Sequence, residues 1–216
     1  MRLNRTHSVT ESPLFAHDLD RRVRLIAGVD EAGRGPNAGP IMAAGVLFDL
    51  DRLASGSGLS DLRELNDSKR VCKSATKLER LAREVLAHAE AISLVSISAW
   101  EIDRIGIDSA NRACLERALR DVGERAELRL VDGDSVPLGP DALRHERIPG
   151  GDAISATIAA ASIVATEAHH RLMAHLGERY PGYGFKTNNG HATPEHKAAL
   201  TKLGPTPQHR RTFKAS

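Results

Sequence analysis

VRLIAGVDEAGRGPNAGPIMAAGVLF, residues 23–48, decides the fold. Its first eight residues form a short apolar run of the kind a buried strand requires. That run ends on Asp30 and Glu31, and AGRGPNAGP follows, dense in turn-forming glycine and proline. PIMAAGVLF is a second apolar run. Two strands joined by a glycine-rich turn predict an antiparallel pair.

Outward from this pair, residues 1–22 are polar and mixed in charge and are expected to form a loose tail. Residues 50–73 read as irregular. SATKLERLAREVLAHAEA predicts a helix, with Leu78, Leu81, Val85 and Leu86 at helical spacing and Ser74 placed to cap it. AISLVSIS predicts a strand. IDSANRACLERALRDVG predicts a helix with Asp108 as its cap and Gly123 as its stop. ELRLVDG is a short strand ending on Asp132, and residues 133–151 are rich in loop formers. ISATIAAASIVATEAHHRLMAHL is a long helix of small residues, suited to close packing on a sheet. YPGYGFKTNNGHA reads as a loop, and TPEHKAALTKLGP as a helix with Thr193 as cap, Pro194 in the first turn and Gly204–Pro205 at its end. The order predicts an α/β protein: one mixed sheet flanked by helices, occupying residues 23–216. The core would run to about residue 170, and a small helical lobe would fill 171–216.

The 41% hydrophobic and 27% charged content is that of a globular chain. No apolar run approaches the roughly 18 residues of a membrane helix. The first residues lack the apolar middle of a signal peptide, so a cytoplasmic protein is expected, and a monomer is the expected state. Cys72 and Cys114 fit no metal or redox spacing and are read as reduced thiols in or near helices. Ten histidines invite a zinc reading, but His169 and His170 are neighbours on different helix faces, and His191, His196 and His209 lack zinc spacing. With a net charge of only +2, a nucleic-acid partner would need basic residues concentrated locally. His209, Arg210, Arg211 and Lys214 are such a cluster, and equally read as a solvated basic tail.

Three apolar-to-acidic transitions point to chemistry. Asp30 and Glu31 end one strand, Asp132 ends another, and Asp152 stands at the start of the long helix. Taken singly, each fits an ordinary cap or turn. If they converge, four carboxylates need cations, and an all-oxygen site suits Mg²⁺ or Mn²⁺. Two such ions about 4 Å apart can clamp a phosphodiester. The turn has neither a phosphate-loop nor a dinucleotide signature. Gly33, Arg34 and Gly35 could let backbone amides approach a ribose or phosphate, or could form a plain tight turn.

These blocks resemble the ribonuclease HII family. IAGVDEAGRGPNAGP, LNDSK, EIDRIGIDSAN, LVDGD, GGDAISATIAAASIVA, YPGYGF and GPTPQHRRTF follow in that family's order, from about Arg24 to Phe213. The resemblance implies an RNase H-like fold with a C-terminal helical extension. It implies endonucleolytic cutting of the RNA strand of RNA–DNA hybrids, and at ribonucleotides embedded in duplex DNA, leaving a 5′-phosphate and a 3′-hydroxyl. By match to the motifs, Asp30, Glu31, Asp132 and Asp152 are the metal-binding catalytic carboxylates. Gly33, Arg34 and Gly35 match the segment that senses the ribose 2′-hydroxyl, the group that distinguishes RNA from DNA. Ser68 and Lys69 match a substrate-backbone contact.

Two stretches depart from the family pattern. His191 stands where the family usually has a tyrosine that stacks on a sugar beside the junction. Thr166, Glu167, Ala168, His169 and His170 replace a lysine and a following Arg-Asp. The expectation is an intact metal core with altered junction recognition, against the alternative that His191 substitutes quietly and the helix residues face solvent. Competing functions are a hybrid nuclease without single-ribonucleotide preference, a non-catalytic nucleic-acid-binding relative, and a two-carboxylate glycosidase. The last is disfavoured because Trp100 and two tyrosines are few aromatic platforms for a sugar.

Overall fold

Leu25–Ala32 (β1) and Ile41–Asp49 (β2) form the antiparallel pair that the sequence predicts, with Leu25 opposite Asp49 and Ala32 opposite Met42. The computed structural model describes residues 12–56, 58–67, 74–133 and 137–213. Beyond β2 lies Ala91–Ile97 (β3), antiparallel. On the other side of β1 come Leu128–Asp132 (β4) and Glu146–Ile148 (β5), both parallel. The sheet order is therefore β3-β2-β1-β4-β5. This is the mixed sheet expected, with β1 at its centre, and β5 adds a strand within the loop-rich 133–151 stretch.

Helices cover both faces. Pro13–Asp20 (α1), Ala75–His88 (α4) and Ala156–Arg179 (α7) pack on one, with Leu50–Ser55 (α2), Gly58–Asp61 (α3) and a 3-10 turn at Arg63–Asp67 beside them. Ala99–Ile105 (α5) and Ile107–Gly123 (α6) pack on the other. Two glycines let the helices come this close. A Cβ on Gly28 of β1 would lie 2.6 Å from the Thr157 carbonyl carbon of α7, and one on Gly45 of β2 would lie 2.8 Å from the Ala118 carbonyl oxygen of α6. The small residues of α7 serve the same approach: Ala156, Ala159, Ala160, Ala161 and Ala165 are all buried. Among the described residues, no helix is long and apolar enough to cross a membrane.

Several expected boundaries move. The loose tail is corrected over its second half, because Pro13–Asp20 is a helix. Ser12 caps it by accepting from the Phe15 amide, and Leu14, Phe15 and Leu19 enter the core. The short apolar face was hidden between polar neighbours. Leu50–Ser55, Gly58–Asp61 and Arg63–Asp67 are short helical turns, the first capped by Asp49 accepting from the Asp51 and Arg52 amides. Ser74 occupies the N-cap of α4 without a side-chain bond, and Gly106, not Asp108, precedes α6. The 180–192 loop contains one helical turn, Phe185–Asn188 (α8). Thr193 caps Pro194–Leu203 (α9) as predicted, accepting from the His196 amide at 3.2 Å.

The C-terminal lobe has its own small core of Met173, Leu176, Tyr183 and Phe185, and Ala38 of the glycine-rich turn is part of it. The turn is stitched to the lobe through backbone bonds from Asn37 and Ala38 to the Gly190 carbonyl, and from Gly39 to the Gln208 carbonyl.

α1 also anchors the long helix. The Asp18 carboxylate is fully buried and accepts from the Thr157 amide at 2.9 Å and the Thr157 hydroxyl at 2.7 Å. A carboxylate at a helix N-terminus meets the positive end of the macrodipole. Asp18→Ala is expected to lower the unfolding free energy by about 2–3 kcal/mol, because two buried bonds to a charged acceptor are lost. Urea titration measures this, and a loss below about 0.5 kcal/mol would contradict the anchoring role.

Candidate active site

Parallel register assembles the site. Val29 of β1 lies opposite Val131 of β4, so the next residues, Asp30 and Asp132, leave the two strands side by side. Glu31 follows Asp30, and its amide donates to the Asp30 carboxylate at 2.7 Å. The fourth carboxylate arrives by a different route. Gly151–Ala153 is a 3-10 turn before α7, and the Gly151 amide donates to Asp132 Oδ1 at 2.5 Å, which sets Asp152 beside Asp132. Asp152 is thus in the turn preceding the long helix, while Ser155 caps the helix itself.

The electrostatics are those of carboxylates crowded at a buried rim. Burial raises Asp30 well above the ordinary carboxylate range, and Asp132 and Glu31 raise it further. Ser162 of α7 and the Glu31 amide hydrogen-bond to it and partly offset this. Burial and Asp132 raise Glu31, with Arg34 and Asn111 opposing. Burial raises Asp132 too, Asp152 adds to the effect, and the Gly151 amide opposes it. These pairings bring all four predicted carboxylates into one electrostatic cluster.

Two contributors were not singled out from sequence. Asn111 of α6 is buried, hydrogen-bonds Glu31, and its Oδ1 finds no donor among the described residues. Ser162 lies in an alanine run whose one hydroxyl was a readable signal. An all-oxygen set of four carboxylates with an unpaired amide oxygen alongside fits hard divalent cations. Among the described residues, the group whose candidate ligand atoms already lie within 4.8 Å of one another is a different one, Asp61, Glu84 and His88 on α3 and α4. The quartet is more open than that.

Beside the quartet, the Gly33–Gly35 segment is held from below. Arg210 is buried and donates to the carbonyls of Gly33 at 2.5 Å, Arg34 at 2.8 Å, Gly39 at 2.9 Å and Pro40 at 2.9 Å. Burial lowers its guanidinium to about 10, still charged at neutral pH. Arg210 therefore belongs to the architecture of the turn and not to a solvated tail. Arg34 reaches Asp108 at 2.9 Å, so the residue expected to cap α6 pairs with the turn instead. His191 is exposed next to Gly35, where an added Cβ would lie 3.9 Å from its Cε1. His169 does not face solvent: it is buried against Gly33, whose added Cβ would lie 2.5 Å from the ring. Gly33 has φ +77°, so both its backbone and its neighbour require glycine. Burial holds His169 neutral with a pKa of about 4, aided by His170, Arg210 and His191. Glu167 pairs with Arg171 one helical turn on. Ser68, Lys69 and Cys72 lie outside the described residues, and Cys114 is a free, buried thiol raised to about 12.

Comparison with known proteins decides the family. The family model described as Ribonuclease HII matches residues 27–216. Ribonuclease HII of Burkholderia thailandensis is 42% identical over 198 residues, covering 92% of this chain and 87% of that protein. Ribonuclease HII of Cereibacter sphaeroides is 44% identical over 191 residues, covering 88% and 84%. The chain belongs to the ribonuclease HII family. It is accordingly a ribonuclease, a hydrolase. The crystal structure of ribonuclease H2 from Pyrococcus horikoshii shares the fold, with a TM-score of 0.74, 23% identity, and coverage of 88% of this chain and 94% of that one.

The raised carboxylates carry a consequence for a ribonuclease HII without metal. A carboxylate whose folded pKa lies above its unfolded value stabilises the fold when protonated, and that contribution is lost as pH rises through the raised value. At neutral pH, Asp30→Asn is therefore expected to stabilise the metal-free protein, and to abolish any stabilisation by an added divalent cation. Urea titrations with and without Mg²⁺ check this, and destabilisation by the substitution would contradict the repulsion.

Proposed function

We propose that this chain is an endonuclease that hydrolyses the RNA strand of RNA–DNA hybrids and cuts at ribonucleotides embedded in duplex DNA, leaving 5′-phosphate and 3′-hydroxyl ends. The observation that carries the reading is the carboxylate quartet beside the Gly33–Gly35 turn, at the rim where β1 and β4 end. Asp30, Glu31, Asp132 and Asp152 would hold two divalent cations, Mg²⁺ or Mn²⁺. Those ions supply Lewis-acid stabilisation of the phosphodiester and an activated water when bound. Ser162 and Asn111 orient Asp30 and Glu31, and the Gly151 amide orients Asp132. The backbone at Gly33–Gly35, fixed by Arg210, supplies a rigid surface for a ribose, whose 2′-hydroxyl marks RNA.

A narrower reading concerns the junction. His191 and His169 both sit against this turn, so the two departures from the family pattern meet at the expected ribose-sensing surface. Weakened preference for a lone ribonucleotide follows from a smaller stacking ring.

The test is gel-resolved cleavage of two labelled duplexes, one with a single embedded ribonucleotide and one with a continuous RNA strand on DNA. Cutting is expected with Mg²⁺ or Mn²⁺ and not with chelator, and Asp132→Asn should lower it by about 100-fold or more. No cutting of either duplex would overturn the reading. On the single-ribonucleotide duplex, His191→Tyr should cut faster than the native protein, and equal rates would sink the narrower reading.

A further inference from the structure

Behind the glycine-rich turn, two buried histidines meet. His196 of α9 and His209 of the closing segment have their Nε2 atoms 3.1 Å apart. Two ring nitrogens at that distance share one proton, and the surrounding backbone decides which ring carries it. At one end, His196 Nδ1 lies 2.7 Å from the His191 carbonyl oxygen. A carbonyl only accepts, so Nδ1 bears the proton and Nε2 of neutral His196 is an acceptor. At the other end, the Thr206 amide donates to His209 Nδ1 at 2.9 Å. Nδ1 is then the acceptor, and neutral His209 carries its proton on Nε2. The two assignments, made from opposite ends, agree in the middle: His209 Nε2–H donates to His196 Nε2.

This chain from the Thr206 amide to the His191 carbonyl is complete only while both rings are neutral. A second proton on His196 would sit on Nε2, facing the His209 N–H. A second proton on His209 would sit on Nδ1, facing the Thr206 amide at 2.9 Å, with the Thr206 hydroxyl oxygen as the acceptor left to it there. Either puts two donors against each other in a buried place. The groups facing the rings are each other, the Tyr183 and Phe185 rings, and Thr206. The Tyr183 hydroxyl donates to the Gly204 carbonyl, and Glu195, next to His196, hydrogen-bonds Thr193. Burial, then His196, lowers the His209 pKa and outweighs the opposing effect of the Thr206 backbone.

The relay joins two segments of the substrate face. One end holds the backbone of His191, beside Gly35. The other is bridged to Ala38 and is followed directly by Arg210, which holds Gly33 and Arg34. We propose that His196 and His209 are positioning residues: as a neutral pair they hold the His191 loop and the Arg210 clamp in one arrangement, and protonation of either ring releases it and weakens binding of the hybrid. The inference rests on the nuclease reading for its substrate, but not for the relay itself.

Long-range ¹H–¹⁵N NMR of the histidine rings reads the relay directly. At about pH 8 the Nδ1–H tautomer is expected for His196 and the Nε2–H tautomer for His209. The opposite tautomer on either ring, or a charged ring at about pH 7, would overturn the proposal. Kinetics on the continuous hybrid read the consequence. As pH falls from about 8 towards about 5, below the ordinary histidine range, KM of the native protein should rise severalfold. Simple electrostatics gives the opposite sign, since protonated His170 and His191 would attract phosphates. His209→Gln should flatten the rise, because an amide can donate to neutral His196 or turn its oxygen towards protonated His196. His209→Phe should show the raised KM already at about pH 8, with kcat within about twofold. A native KM that stays flat or falls on acidification, or a His209→Gln protein that tracks the native one, would overturn the proposal. If neither duplex is cut at any pH, the nuclease reading fails, while the tautomers still decide the relay.

Discussion

Parallel pairing of β1 with β4 forces like charges together, and much of the molecule is arranged to make that tolerable. Because Val29 and Val131 share a register position, Asp30 and Asp132 emerge as neighbours, with Glu31 one residue beyond. Mutual repulsion at a half-buried rim favours protonation or bound cations. Each helix that packs on this rim contributes a compensating group: α6 brings Asn111 to Glu31, α7 brings Ser162 to Asp30, and the turn before α7 brings backbone amides to Asp132. These contacts require close packing, which Gly28 and the alanines of α7 permit on one face and Gly45 on the other. Asp18 then fixes the start of α7, so a residue of the first helix helps set where Ser162 lies.

The second constraint is the burial of Arg210. A guanidinium removed from water needs acceptors for its donors, and the carbonyls of Gly33, Arg34, Gly39 and Pro40 supply them. The turn between β1 and β2 has little regular structure of its own, so its shape is imposed by a side chain far along the chain. The C-terminal lobe is consequently part of the framework that shapes this turn and not an appendage to it. Its small core includes Ala38, and its His196–His209 pair lies between the His191 loop and the Arg210 clamp.

The histidines show how one residue type takes different roles from its surroundings. His191 is exposed and sits beside Gly35, in a position to meet a ligand. His169 is buried, neutral and pressed on Gly33, a packing element whose protonation would place a second cation near Arg210. His196 and His209 are locked into defined tautomers by a carbonyl at one end and an amide at the other. Nothing in their sequence spacing distinguishes these roles.

By itself the sequence determined the β1–β2 pair, the long alanine-rich helix and the capped helix at Thr193, and it singled out four candidate carboxylates. Each of these is written locally, in apolar period, in Gly and Pro punctuation, or in motifs whose order is preserved. The helix at Pro13–Asp20 was missed because its three core residues, Leu14, Phe15 and Leu19, give too little periodicity without the sheet they pack against. Asn111, Ser162 and the structural role of Arg210 were missed for a related reason. Their partners lie 80, 132 and up to 177 residues away, at Glu31, Asp30 and Gly33. Only the tertiary structure decided that the carboxylates meet, that a terminal arginine is a buried clamp, and that two distant histidines share a proton, because burial and long-range proximity are properties of the packed chain.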